Sequence, residues 1–539
     1  MSTGTSSGPG RPPRIRHNDY GVLTPPEPGT WRPSLSVSVV IAAYGHQDKL
    51  DLTLAALAAQ SYPSHLTEVI VVDDGTQPAL RLPEIAPENT VLLATEPGAR
   101  GRSDARNAGL ARAGGDVVHW LDADMVTFHD EVEEHMRWHH LADHLVVMGY
   151  VRYVEHRAGT PTPREVHAAV SAGAADKLFD EERSEPHAWI VDLAERTDGL
   201  RTAGDSAYRV HVTNAASVNA RLLREAGPLD TSLVLGEDTE LGYRLAQAGA
   251  AFVLAPGARS RHLGLSMMMR DKDRIRRYNH AYVPGLVPYM RWQRTHPRRQ
   301  WQVPYAEVVV EAAGASYEDV RATADGVLAG TLNDVVVTLA GPWDAAREDR
   351  RNPLDSTHLD LLLLRGLYRG EPRVRFVTSV PATAAPVPYR LTCPPGWVPG
   401  AETLRRLVEH ASSTATAWCR SPWTRGGRGA RRAPGAHRRL RPRRPGPRAG
   451  RAAGRGRARR VGHALDGRRV AGVPARRHGR ARQARQDRRP GSHQGAHPAA
   501  RGERPADRNP RRPRRRRRPA PAERVIPRPR GRWFRTSGR

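Results

Sequence analysis

Cysteine is nearly absent: Cys393 and Cys419 are the only two in 539 residues. That is too few for a disulfide framework or a cysteine-based zinc site, and a reducing, cytoplasmic compartment is the simplest expectation. Long apolar runs are missing as well. The longest, such as 37–43 and 361–364, fall far short of the about 20 residues that a bilayer span needs, and the N-terminus has no signal-peptide core. A soluble chain is expected, without transmembrane segments and with at most peripheral membrane contact. Lysine is scarce, three against 82 arginines, and with abundant Ala, Gly and Pro this is the signature of a GC-rich, bacterial coding sequence. Acidic residues desert the C-terminal end: residues 413–539 hold 41 Arg, no Lys and 5 acids, a local balance of +36. Taking that from the whole chain's +29 leaves −7 for the first 412 residues. The high isoelectric point therefore describes only the tail, and the usual step from basic charge to nucleic acid does not extend to the body. No specific nucleic-acid partner is expected.

What is present has the rhythm of an α/β protein, with length for two or three domains. Residues 1–34 are rich in Gly, Pro, Ser and Thr and read as a disordered leader. Order begins near 36 with SVSVVIAAY (36–44), a β-branched strand, followed by leucines at helical spacing over 51–60 and a second apolar strand, EVIVV (68–72), broken by Asp73-Asp74-Gly75. Strand, helix, strand with a crossover of this length is a βαβ unit, and continuous apolar strands imply a mostly parallel sheet covered on both faces. A helix over 103–113 feeds the strand that ends in His119-Trp120-Leu121-Asp122-Ala123-Asp124. The segment 150–210, with Trp189 and several histidines, has no place in the sheet and is expected to cover the far side of a cleft. Beyond it come an extended run at 212–220, a helix opened by Gly236-Glu237-Asp238, a short strand at 251–254, and a loop at 256–261 that delivers His262.

Chemistry concentrates at strand ends. Read as one strand, the DxD stretch points Asp122 and Asp124 the same way, and two like charges on one apolar strand call for a cation. Hard divalent ions such as Mg²⁺ or Mn²⁺ take one or two carboxylates together with substrate phosphates. Two aspartates beside a turn are common on any surface, and acids at 237 and 238 are an ordinary helix N-terminal pairing. The convergence decides: Tyr44, Asp73, Asp74, Asp122 and Asp124 all fall at carboxyl ends of strands, where open α/β sheets bind ligands.

The order of these motifs (VVIAAY, VIVVDDG, ARNAGLARAGG, LDAD, an Asn/Ser segment, GEDTELGYRL, then a loop ending in His) resembles family 2 glycosyltransferases over about residues 36–265. The resemblance implies a GT-A fold and inverting transfer from a nucleotide-diphosphate sugar, expected to be a UDP-sugar, to a saccharide, lipid-linked or small-molecule hydroxyl. It implies that Ala43, Tyr44 and Asp73 or Asp74 hold the nucleoside, that Arg106 lies near the nucleotide, and that Asp124, Asp122 through water, and His262 hold Mn²⁺ or Mg²⁺ against the diphosphate. Asp238 is the expected general base, with Glu237 the second choice. The TNAASVN segment lacks the Gly-rich run of many relatives, and no aromatic residue precedes Gly236, so the acceptor is left open. Arg274-Ile275-Arg276-Arg277-Tyr278 resembles the (Q/R)xxRW motif of processive membrane synthases with Tyr for Trp; a basic solvated helix face is the plainer reading.

A domain is expected over 35–300. Residues 303–411 echo its opening: EVVVEAA (307–313) parallels 38–44, and DVVVTLAG (334–341) parallels 68–75, but Leu339-Ala340 stand where Asp73-Asp74 stood. This reads as a degenerate, possibly truncated GT-A-like domain, without catalysis. From 412 to 539 almost no aliphatic run remains, and such a chain cannot offset its own entropy by burial. The abrupt change inside a domain favours an out-of-frame reading of a GC-rich gene over a genuine polybasic tail, which would bind polyanions in a salt-sensitive way. Two other functions compete. A nucleotidyltransferase would place a Gly-rich phosphate loop after the first strand, where this chain has Ala42-Ala43-Tyr44-Gly45-His46; a polyanion-binding protein would rest on the tail alone.

Overall fold

The computed structural model describes residues 15–413, apart from 100, 158, 297 and 348–350; the expectations for the tail lie outside the described residues. Nine strands form the first sheet: β1 (Val37–Ala43), β2 (Thr67–Asp73), β3 (Thr90–Ala94), β4 (Val117–Asp122), β5 (Met125–Thr127), β6 (Leu145–Val154), β7 (Glu185–Pro186), β8 (Ala215–Asn219) and β9 (Ala251–Leu263). The order is β3-β2-β1-β4-β8-β6-β9-β5, with β7 paired to β6. β3, β2, β1 and β4 run parallel, as do β6 and β9, whereas β8 and β5 enter antiparallel.

The alternation of strand side chains builds two cores. Val40, Ile70, Val72, Val118 and Trp120 point into one, and Val39, Ile41, Val69, Val71 and Leu121 into the other, as a sheet covered on both faces requires. Helix Arg102–Arg112 lies against β1 and β2 so closely that a Cβ at Gly109 would stand 2.4 Å from Val40 Cγ1. Only glycine permits that approach, and it sets the depth at which Arg106, three residues earlier, reaches the edge of the sheet.

Four further strands form a separate parallel sheet, β10 (Ala306–Glu311), β11 (Val335–Ala340), β12 (Val374–Val377) and β13 (Tyr389–Thr392), ordered β12-β11-β10-β13. Val308, Val310, Val337 and Leu339 fill its core with helices Tyr317–Leu328 and Leu359–Leu367. Arg294, buried in the connecting segment, donates to the Pro284 and Val303 carbonyls at 2.7 and 2.9 Å and pairs with Asp334 at 2.9 Å. The Tyr243 hydroxyl donates to the Pro386 carbonyl, joining the first-sheet helix Glu237–Ala248 to the second-sheet region.

Several expectations change. Residues 15–34, placed in a disordered leader, pack on the first sheet: Tyr20 and Leu23 are buried in its core. The Asn18 amide donates to the Leu200 and Phe252 carbonyls at 2.9 Å and accepts from the Phe252 N–H at 2.6 Å. The loop expected at 256–261 is instead the middle of β9, which runs through Pro256 beside an irregularity in β6 between Met148 and Tyr150; proline is tolerated in a sheet where pairing is interrupted in this way. β4 stops at Asp122, so Asp124 stands in the turn before β5 and not on the strand. The segment 150–210 contributes the end of β6, β7 and helices Pro163–Ser171 and Ala188–Arg196. No helix among the described residues is long and apolar enough to cross a membrane.

Candidate active site

Register brings the acids to one edge. β1 pairs Ala43 with Asp73 on one side and Ala42 with Asp122 on the other, so both carboxylates leave the sheet at its carboxyl end. Asp73 is spent on architecture: its oxygens accept the Thr76 and Leu80 amides at 2.8 and 2.9 Å and hold the loop after β2. Asp74 accepts the Gly101 amide at 2.9 Å. Ala43 is buried, whereas Tyr44 next to it is 71 % exposed, and the Thr76 hydroxyl receives the Gly45 N–H at 2.9 Å, tying the two loops together.

Asp124 meets His262 because β5 and β9 pair Met125 with His262. The His262 Nε2 lies 3.3 Å from Asp124 Oδ1, and its Nδ1 is 2.9 Å from the Gly264 carbonyl. A carbonyl only accepts, so Nδ1 faces Gly264 as a donor and Nε2 is the nitrogen turned toward Asp124, placed to ligate an ion. Ligand atoms of Asp122, Asp124 and His262 lie within 4.8 Å of one another, a donor set of two carboxylates and one imidazole that fits a divalent cation. Lys49, which the motif reading passed over, sends its ammonium to Asp124 Oδ2 at 3.2 Å and to the Leu263 carbonyl at 2.5 Å.

A chain of alternating charge runs inward. Asp122 Oδ1 accepts from Arg106 at 2.8 Å; Arg106 stands 3.6 Å from Glu237, which Arg102 also meets at 3.1 Å. Glu237 is 2 % exposed. Burial, and then the adjacent Asp238, push its carboxyl above the ordinary range, opposed by the two arginines. Asp238 is more open, and its Oδ1 accepts the Thr239 amide at 2.6 Å. Its carbonyl receives the buried His211 Nδ1 at 2.7 Å, which pins the start of helix Glu237–Ala248.

Residues missed at the sequence level close the far wall. Tyr153, on β6, stacks at a tilt 4.8 Å from His262 and meets His187 edge-on at 5.2 Å. His187, driven to about 4 by burial, is held neutral at pH 7 against the pull of Asp238. The Tyr153 hydroxyl receives the Asn214 amide at 3.3 Å. Nothing in the local pattern marks Tyr153 or His187; β6 carries the first, and β7, paired to β6, delivers the second. Asn219, by contrast, belongs to the architecture, its Oδ1 capping helix Ala220–Ala226. Arg274 is exposed on helix Lys272–Leu286, as a solvated basic face requires, while Tyr278 stacks on Tyr282 at 4.6 Å.

Residues 38–190 match the family model described as glycosyl transferase family 2. The chain carries a family 2 glycosyltransferase domain. The uncharacterized glycosyltransferase YfnE of Bacillus subtilis is 29 % identical over 276 residues, 46 % of this chain and 70 % of that protein. A validoxylamine A glucosyltransferase of Streptomyces hygroscopicus subsp. limoneus is 27 % identical over 292 residues, covering 50 % of this chain and 62 % of that protein. Among solved structures, a mannosyltransferase from Pyrobaculum calidifontis in complex with GDP-Man and Mn²⁺ overlaps with a TM-score of 0.32 and 19 % identity, covering 48 % of this chain and 64 % of that one. The glycosyltransferase domain therefore spans somewhat under two thirds of the length of two of these three.

Proposed function

We propose that the domain transfers a sugar with inversion from a nucleotide-diphosphate sugar, with UDP the expected carrier, to an acceptor hydroxyl, assisted by Mn²⁺ or Mg²⁺ held by Asp124, Asp122 and His262. The observation that carries the reading is the meeting of these three with Arg106 and the Glu237–Asp238 pair at the carboxyl edge of one sheet. When bound, the ion supplies Lewis-acid stabilisation to negative charge on the departing diphosphate. The protein's own groups do the rest. Tyr44 offers an exposed ring to the base and Asp74 an acceptor to a ring N–H, with Asp73 holding the loop behind it. Arg106, fixed between Asp122 and Glu237, keeps Asp122 oriented and lends positive charge close to the diphosphate. Asp238 takes the proton of the acceptor hydroxyl as that oxygen attacks the anomeric carbon and the bond to the diphosphate breaks. Glu237 is the weaker candidate because two arginines hold it. His187 and Trp189, both partly exposed, line the side where an acceptor ring would stack, with buried Tyr153 behind His187.

The test is nucleotide release by the full chain from a panel of UDP-, GDP- and TDP-sugars, with Mn²⁺ and then with EDTA. Release from one donor, lost on chelation, is expected. Release that ignores EDTA would remove the metal from the reading, and a folded protein that neither binds nor hydrolyses any of them would remove the donor class.

A further inference from the structure

A second constellation of metal-ligand chemistry lies outside this site, in the interior. His119 sits on β4 three residues before Asp122, so strand alternation turns the two side chains to opposite faces. Helix Glu131–His139 covers the His119 face and presents Glu131, His135 and His139 at intervals of four, along one stripe. All four side chains are 3 % exposed or less. His119 Nε2 and His135 Nε2 each stand 3.2 Å from the same oxygen, Glu131 Oε1, and ligand atoms of the three residues lie within 4.8 Å of one another.

We infer that His119, Glu131 and His135 form a buried structural site for a zinc ion. The distances fit: ligands about 2.0 to 2.1 Å from zinc stand about 3.3 Å apart at the tetrahedral angle. The directions fit better than a hydrogen-bonded pairing does. At 3.2 Å these contacts would be hydrogen bonds, yet Glu131 Oε1 and Oε2, His119 Nδ1 and Nε2, and His135 Nε2 all lack a properly directed partner. Buried polar atoms in native proteins rarely go unmatched, and here three of them, one from each residue, meet at one point.

The surroundings orient the ligands as a metal centre requires. Ser217 lies directly across from His119 in the β4–β8 pairing. Its Oγ is 2.8 Å from His135 Nδ1 and 2.8 Å from His139 Nε2. A relay in which Nδ1–H of His135 donates to Ser217, and Ser217 donates to His139, leaves the His135 Nε2 lone pair free for a cation. The backbone comes close beside that nitrogen: a Cβ at Gly149 would lie 3.2 Å from His135 Nε2 and 3.1 Å from the Ala258 carbonyl, so glycine keeps the side chain's position clear. Burial points the same way: Glu131 is fully buried, and a carboxylate in the interior needs a compensating cation. Two nitrogens and one oxygen in a closed interior suit zinc better than the oxygen-loving Mg²⁺. The ion would clamp β4, and with it the DxD turn, to the helix behind it.

The experiment uses the full chain carrying Asp124→Ala, prepared without a polyhistidine tag and dialysed against metal-free buffer, so that the catalytic position contributes nothing. Elemental analysis is expected to find about one zinc per chain, absent when His135→Gln is added. Replacement of the zinc by Co²⁺ in the Asp124→Ala protein is expected to give the intense visible bands of a tetrahedral ion, a readout that needs no change to the ligands should His135→Gln fail to fold. Folded Asp124→Ala protein with no zinc and no such bands overturns the inference in favour of a proton shared among the imidazoles. Zinc that persists in folded His135→Gln protein overturns it in favour of ligands elsewhere.

Discussion

The two parallel sheets share one plan and differ at one edge. β3-β2-β1-β4 and β12-β11-β10-β13 have the same strand order and the same directions. In the first, the edge where β1, β2 and β4 end carries Asp73, Asp74 and Asp122. In the second, β10, β11 and β13 end in Glu311, Ala340 and Thr392, one acid in place of three. Equivalent interior positions also differ. Ser38 on β1 makes a short contact with Glu68 on β2, whereas Glu307, at the matching place on β10, pairs with Arg390 on β13 at 2.6 Å and receives the Thr338 hydroxyl at 2.6 Å. The same backbone gathers three acids at the rim in one case; in the other it leaves one there and pairs another inside. A sheet of this kind supplies an edge; the residues at that edge decide whether chemistry follows.

The sharpest break in that contrast is Asp124→Ala, expected to cost on the order of 10⁴-fold in metal-dependent transfer with an unchanged melting temperature, read by donor turnover and calorimetry. Glu307→Ala should do the opposite. It leaves Arg390 buried without its carboxylate, a loss of about 3 to 5 kcal/mol, visible as an early unfolding transition of the second sheet in denaturant, while nucleotide binding by the remaining folded protein persists. Asp238→Asn is expected to lower turnover by roughly 10²- to 10⁴-fold with nucleotide affinity kept; lost affinity with retained turnover would move the base elsewhere. The smallest effect is one of pH. Burial lowers His187 to about 4, so the unfolded chain binds its proton first as pH falls. Stability contributed by the neutral ring is present above about 6.5 and lost progressively toward 4, up to about 3 kcal/mol. Replacing His187 with Phe should flatten that part of a stability profile measured between pH 4 and 7.

Much of this edge was legible from residue order. The strands at 36–44 and 68–72, the DxD stretch and the acids at 237 and 238 declare themselves by local pattern, and the structure joins Asp122, Asp124 and His262 across 140 residues. What local pattern hides is partnership. Pro256 and Gly257 read as a loop because proline interrupts pairing, yet β9 runs on through them and resumes its pairing with β6 at Arg259. β3, with only partly buried residues, has no strong apolar signal. Lys49 looks like one polar residue on an amphipathic helix until the turn at Asp124 is folded beside it. His119, Glu131, His135 and Ser217 are ordinary singly; pairing of β4 with β8 assembles them.

Asn18 shows how little chain is needed to finish a surface. Its side-chain amide offers Phe252 one donor and one acceptor, the complement that a neighbouring strand would present through its backbone. One residue thus seals part of a sheet that would otherwise be open to another molecule. A protein trimmed to begin at the first obvious strand would lose that seal together with the Tyr20 and Leu23 plug, and would be the more adhesive for it.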